Sequence, residues 1–317
     1  MTRAFALFAR RPFILALVLC IVLLVLNLFA APSFGSPTRL AATLGTLAPF
    51  VLVGMASTPS VLSGGIDVSV GPLMTFVNCF FVAVLVPAGL GNVALSLPIV
   101  LLLGLAAGTL NGVLIAIVRL HPVVATTGTL FLFVGGALMI APSSVGLIGS
   151  WTRVLATSVG WLPGSLLILV PVALIWWLLR RTAYVRNLMA VGDDELSAFG
   201  AGVHVVPVRI IAYAIGGMLA AVGGLALTGL IQSSEASLST TYALIGLAAV
   251  VLGGTPLGGG RGGMIGSVLG AIAIYLLQEL LTALGVQSNL IQLMYGVVLL
   301  IGVVLGATLL SSKGRLA

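Results

Sequence analysis

The segment RRTAYVRNLMAVGDDELSAFGAGVHVVPVR, residues 180–209, decides how the rest of the chain is read. It holds three of the chain's six acidic residues, Asp193, Asp194 and Glu195, and four of its thirteen basic ones, Arg180, Arg181, Arg186 and Arg209. Apolar runs long enough to cross a bilayer lie on both sides, 162–179 and 208–231. Charge of this density is not stable in hydrocarbon, so the segment leaves the membrane. Its interior reads as a short helix from Asp194 to about Gly200, closed by the stop signals Gly200 and Gly202. Pro207 opens the next long helix at a position where its missing N–H does no harm. Two readings stand at this point: a solvated loop kept out of lipid by its charges, or a docking helix for a soluble partner.

Composition sets the class. Of 317 residues 60% are hydrophobic and 6% charged, with a mean hydropathy of +1.31. Soluble domains carry roughly 25% charged residues, so this chain reads as all-α and integral to the membrane, one polytopic domain over 1–317. The net charge of +7 does not indicate nucleic acid, because the bases sit at the ends of apolar runs rather than on one face. Cys20 and Cys79 lie within apolar runs and read as core filler. His121 and His204 have no neighbouring ligands, which argues against a metal site. Lys313 is the only lysine, so no phosphate-binding G-x-x-x-x-G-K-[ST] loop exists. If the protein works with ATP, another chain binds it.

About ten spans follow from the apolar runs: 13–31, 40–58, 68–87, 94–118, 123–141, 162–179, 208–231, 242–256, 264–284 and 290–310. The first competes with a cleavable signal peptide, but its core exceeds the usual 7–15 residues and approaches the 20 or so of a spanning helix. Runs 68–87 and 242–256 adjoin glycine-rich stretches and read as short or broken helices. With the N-terminus inside, eleven of thirteen basic residues fall on the cytoplasmic side, leaving only Arg39 and Arg153 outside. Both termini and the 180–207 loop are then cytoplasmic.

Small residues recur every fourth position at Gly104, Gly108, Gly112; Gly216, Ala220, Gly224; and Gly258, Gly262, Gly266, Gly270, a spacing that lets helix backbones approach closely in lipid. Asp67-Val68-Ser69-Val70-Gly71 and Glu235-Ala236-Ser237-Leu238-Ser239 share a weak pattern and fall on opposite sides by this count. This suits an inverted repeat of spans 2–5 and 7–10. Polar residues within the apolar runs are candidates for a translocation pathway: Asp67, Ser69, Asn78, Asn111, Thr126, Thr127, Thr129, Glu235, Gln278, Glu279 and Gln292. For each, an inter-helix hydrogen bond is the competing structural reading.

Four ordered stretches carry a resemblance: Leu62–Gly71, then Leu110-Asn111-Gly112, then Val191-Gly192-Asp193 through Gly202-Val203, then Ala248–Gly262. They resemble the permease subunits of the ribose/xylose/arabinose-type importers of the ATP-binding-cassette class, over about residues 45–308. The resemblance implies a type II importer-like permease of ten helices, N-in and C-in, in the bacterial inner membrane. It implies a second permease chain, identical or not, two cytoplasmic ATPase subunits that hold ATP and Mg, and a periplasmic sugar-binding protein; this chain binds no cofactor itself. Gly192, Asp193, Asp194, Glu195, Ser197, Phe199, Gly200 and Gly202 would form the coupling helix that sits in a groove of the ATPase. The three acids would face basic groups there, and Phe199 would be the apolar anchor. Family members often carry acids after the tyrosine that corresponds to Tyr242; here Ala243, Leu244 and Ile245 follow it. The implied cargo is a monosaccharide. A nucleoside, a furanose-like signalling molecule or a branched-chain amino acid are alternatives, and an ion-coupled secondary transporter or a membrane enzyme are the rival classes.

Overall fold

The computed structural model describes residues 13–31, 34, 36–160 and 162–311. The terminal bases Arg3, Arg10, Arg11, Lys313 and Arg315, on which the orientation of the ends leans, lie outside them. The described chain is almost wholly helical: α1 Phe13–Ala30, α2 Pro37–Leu62, α3 Val70–Phe80, α4 Val93–Ala116, α5 Pro122–Ile140, α6 Leu166–Arg180, α7 Ala183–Asp193, α8 Glu195–Gly200, α9 Val205–Ile231, α10 Ser239–Leu252, α11 Met264–Ala283 and α12 Ser288–Ser311. Among the described residues, six helices are long and apolar enough to cross a membrane: α1, α2, α4, α5, α9 and α11. The bent pair α6–α7, broken at 77°, makes a seventh if counted as one span. α3 with its π-helical extension Phe81–Leu85, α10 and the apolar part of α12 are shorter. The short or broken helices expected at 68–87 and 242–256 are therefore present as such.

α9 lies at the centre, packed by α2, α3 and α4. Its contact with α4 explains the glycine spacing. A Cβ added at Gly104 would lie 2.5 Å from the carbonyl oxygen of Gly217, and one at Gly108 would lie 2.9 Å from Cα of Ala214. The two backbones touch directly, as small residues allow where water offers no driving force. α1 is an outer helix whose inner stripe is Ala16, Cys20, Leu23 and Asn27. Asn27 Nδ2 donates to the carbonyl of Leu276 on α11 at 2.9 Å, and the Cys20 thiol to that of Leu269 at 3.1 Å. Both cysteines are buried and free.

Two differences from the sequence reading concern polar segments. Ser158–Val159 and Leu162–Pro163 pair as two short antiparallel strands, and α6 begins only at Leu166, after Pro163 and Gly164. The 180–207 segment holds two helices rather than one. α7 is set by the Thr182 hydroxyl, which accepts from the N–H of Tyr184 at 3.3 Å, and by the buried stripe Val185, Leu188 and Val191.

The helix ends gather at two faces. On one, Gly260 N donates to Leu62 O at 3.2 Å and a Cβ on Gly192 would lie 2.6 Å from Gly260 N. On the other, Leu147 N donates to Gln232 O at 2.8 Å and Ser234 N to Val145 O at 2.9 Å. α2 reaches the first face at Leu62, and α9 reaches the second at Gln232.

Candidate functional site

The short helix α8 is defined at both ends by hydrogen bonds. At its start, Asp194 Oδ1 accepts from Leu196 N at 3.0 Å and Oδ2 from the Ser197 hydroxyl at 2.6 Å. These donors, the Ser197 hydroxyl foremost, hold the exposed Asp194 carboxyl below its ordinary value. At its end, Gly202 N donates to Phe199 O at 2.9 Å and Val203 N to Ala198 O at 3.0 Å. Gly202 has φ +84°, the left-handed conformation this stop requires. Six residues with caps at both ends make a rigid knob rather than a flexible loop.

The knob is anchored inward through its acids. Glu195 Oε2 meets Arg209 Nη2 on α9 at 2.7 Å, and Asp193 Oδ1 lies 3.7 Å from Arg261 Nε on the glycine-rich loop. Each of the three carboxylates has a partner within this chain and stays exposed beside it. Among the exposed residues of α8 are two large apolar side chains, Leu196 at 82% and Phe199 at 71%, while Ala198 between them is buried. Leu196 escaped the sequence reading; its i, i+3 spacing from Phe199 was the available signal. Gly200 faces open space.

Gly192 sits in a cradle built from the C-terminal end of α2 and the loop 253–263. A side chain there would strike the carbonyl of Leu62, and one on Gly260 would lie 2.6 Å from Cα of Asp193. The glycine run is thus a seat for the α7–α8 junction. Against α8 lies a cavity of about 660 Å³, bounded by Gly65, Arg119, His121, Glu195, Leu196, Phe199, Arg209 and Tyr213 among others.

The candidate pathway residues divide into three groups. Asp67, Ser69, Asn111, Thr126 and Thr129 form a connected chain. Asp67 Oδ1 accepts from Ser69 N at 2.9 Å and from the Ser69 hydroxyl at 2.6 Å. Asn111 Nδ2 donates to Ser69 Oγ at 2.8 Å, and Asn111 Oδ1 accepts from Thr129 at 2.8 Å. Thr126 donates to Ile66 O at 3.2 Å. Burial raises the Asp67 carboxyl, and the hydrogen bonds from Ser69 and Asn111 oppose that. Asn78 and Glu235 form the second group: Asn78 Nδ2 donates to Thr228 Oγ1 and to Ser233 O, each at 2.9 Å, and Asn78 Oδ1 accepts from Glu235 N at 2.9 Å. Glu279, on α11, belongs to neither group and lies beside Tyr275, whose hydroxyl also has Thr43 as a neighbour. Thr127 is half-buried on α5. A further bond that the sequence did not reveal ties α3 to α10, Thr75 Oγ1 to Ser239 Oγ at 2.6 Å. Of the residues that follow Tyr242, Ile245 is buried in the core, 1% exposed.

A bundle of membrane-length helices, with buried polar clusters and one capped apolar knob on a face, defines a membrane transport protein. Residues 39–303 match the family described as branched-chain amino acid transport system / permease component, and the chain belongs to it. It is the permease component of an ATP-binding-cassette importer, a multi-pass inner-membrane protein and a transport pore rather than a catalytic chain. The chain is similar to the ribose import permease protein RbsC of Bacillus subtilis (strain 168), 31% identical over 310 residues, covering 93% of this chain and 91% of the relative. It is 32% identical to the autoinducer 2 import system permease protein LsrC of Escherichia coli (strain K12 / DH10B), over 299 residues, 90% of this chain and 84% of the relative. The ribose import permease of Haemophilus influenzae is 27% identical over 307 residues, 93% and 91% of the two chains. No solved structure matches the chain at comparable stringency.

Proposed function

We propose that the chain carries a monosaccharide, delivered by a periplasmic binding protein, into the cytoplasm. It pairs with a second permease chain and with two ATPase subunits that hold ATP and Mg. The observation that carries the coupling part is α8, a capped helix on which Leu196 and Phe199 stand exposed beside acids that bridge to Arg209 and Arg261. Apolar side chains held rigidly on a polar face suit the centre of an interface. Gly192, Asp193, Asp194, Glu195, Ser197, Gly200 and Gly202 build and seat this helix, and Leu196 and Phe199 enter the ATPase groove.

In this reading the Gly192 face is cytoplasmic, the helices make ten crossings, and spans 2–5 and 7–10 form an inverted repeat. The matched turns at Asp67 and Glu235 support the repeat. Glu235 Oε1 accepts from Ser237 N at 3.3 Å and from the Ser237 hydroxyl at 2.7 Å, the same pair of bonds that Asp67 makes with Ser69. Each turn precedes a short helix. A sugar needs a passage that replaces its water hydrogen bonds only briefly, and Asp67, Ser69, Asn78, Asn111, Thr126, Thr127, Glu235 and Glu279 are the groups for that task. ATP-driven closure of the partner favours one of two packings of the bundle. The ribose permeases support the sugar; the equally similar autoinducer 2 permease keeps that solute as the second reading.

The test is reconstitution with the ATPase and binding protein. Phe199→Asp leaves insertion intact and abolishes substrate-stimulated ATP hydrolysis; normal stimulation would sink the docking role. A Phe199→Cys variant that reacts only with a reagent applied outside the cell would sink the sidedness.

A further inference from the structure

The cavity against α8 has a use that docking does not require. Arg119 and Arg209 bring two guanidinium groups to its wall against one carboxylate, Glu195, which Arg209 already holds at 2.7 Å. Arg119 has no ion-pair partner among the described residues.

Two long helices begin at the cavity, α5 after His121 and α9 after His204, and neither residue caps its helix with a side chain. Val205 and Val206, the first residues of α9, line it. Of the helices that end there, α2 and α4, several terminal carbonyls are taken by their own turns, with Ser63 N donating to Pro59 O, Gly65 N to Ser60 O and Leu120 N to Leu114 O, while Ile115 and Ala116 of α4 also line the cavity. The Arg119 guanidinium and the start of α9 put donors at the cavity, which suits an anion.

An independent observation points the same way. Tyr213 is fully buried, and its hydroxyl has no hydrogen-bond partner. It lines the cavity beside Gly65, where a Cβ would leave the hydroxyl no room. Asp67 is not part of the lining, and its Oδ1 is occupied by Ser69. A buried hydroxyl without a partner is unfavourable, and an acceptor placed in the cavity would satisfy it. The volume of about 660 Å³ is that of a small-molecule site.

We propose that this cavity binds a phosphate ester, seated on Arg119, the Tyr213 hydroxyl and the start of α9. Guanidinium, hydroxyl and amide donors arriving from different elements match a tetrahedral group with several acceptor oxygens. The ester is a soluble sugar phosphate or the headgroup of an anionic lipid. Once seated, it competes with Glu195 for Arg209 and so slackens the tether of α8. That consequence rests on the docking reading, whereas the binding itself does not.

The test uses the full-length chain in nanodiscs of neutral phosphatidylcholine, followed by calorimetric titration and thermal unfolding. Ribose 5-phosphate binds and raises the melting temperature, and ribose does neither. Arg119→Gln, a change at an exposed position, weakens the ester's binding about tenfold, as expected for a lost charge-assisted hydrogen bond. Tyr213→Phe, which keeps the ring, weakens it about fivefold. If phosphatidylglycerol in the disc gives an Arg119-dependent stabilisation and blocks the soluble ester, the ligand is a lipid headgroup. No stabilisation by ribose 5-phosphate or by phosphatidylglycerol, or the same stabilisation in Arg119→Gln, overturns the site. Because no ATPase is present, its failure would leave the docking role untouched.

Discussion

Glu195 and Arg209 meet at 2.7 Å across the turn between α8 and α9, one residue at the start of the knob and the other in the first turns of the central helix. Through this pair a push on α8 reaches the core of the bundle. Glu195→Ala therefore lowers the coupling ratio, ATP hydrolysed per solute moved rising in reconstituted vesicles. The pair is partly exposed, so the loss of fold stability stays below about 1 kcal/mol. The swap Glu195→Arg with Arg209→Glu restores part of the coupling, and no recovery would remove the pair from the transmission route.

Gly192 tolerates no side chain. Gly192→Ala forces a Cβ against the Leu62 carbonyl and the Gly260 amide. The cost is about 1–3 kcal/mol, as for other overpacked contacts, read as a lower melting temperature in detergent. Gly200→Trp behaves in the opposite way. It faces open space, so the melting temperature holds while ATPase association is lost in pull-down from membranes.

The Asp194 cap sets a pH window. Its carboxyl lies below the ordinary 3.8 because the Ser197 hydroxyl and nearby amides favour the charged form. A depressed carboxyl contributes its stabilisation above the unfolded value and loses it as pH falls through the folded one. Amide exchange at Leu196 is thus protected equally from pH 5 to 8, about one unit and more above the reference value. Protection falls only in stronger acid. Asp194→Asn, which still accepts, keeps most of it, and Asp194→Ala loses it at every pH.

Asn27 holds the outermost helix to the bundle through the carbonyl of Leu276. Asn27→Leu weakens that attachment by about 0.6–2 kcal/mol, the usual range for such a bond in lipid. The readout is faster proteolysis between α1 and α2, with transport little changed. Slower proteolysis would contradict the role.

The long helices were legible because apolar length is an unambiguous signal in a chain with so few charges. The α4–α9 contact was foreshadowed by Gly104, Gly108 and Gly112. α8 was legible because three acids and two glycines bracket it. α7 was not, since Val185, Leu188 and Val191 are interspersed with Arg186 and Asn187 and read as part of a loop. The partners of Asp193 and Glu195 were invisible for a different reason. Arg261 and Arg209 come near them only once α9 and the glycine loop have folded back beneath α2, and spacing along a chain carries no such information. The polar residues were found singly, but not their grouping: only the fold separates Asp67 with Asn111 from Asn78 with Glu235.

The backbone contact of α4 with α9 has a mechanical result. Two rods touching main chain to main chain cannot slide without parting, so they tilt together. α9 has 27 residues, about 40 Å at 1.5 Å per residue. Its far end is held at Gln232 by Leu147 and beside Ser233 by Asn78. On the proposed coupling role, a small displacement of the knob would be felt at the distant mouth by leverage, with no relay of side chains needed in between.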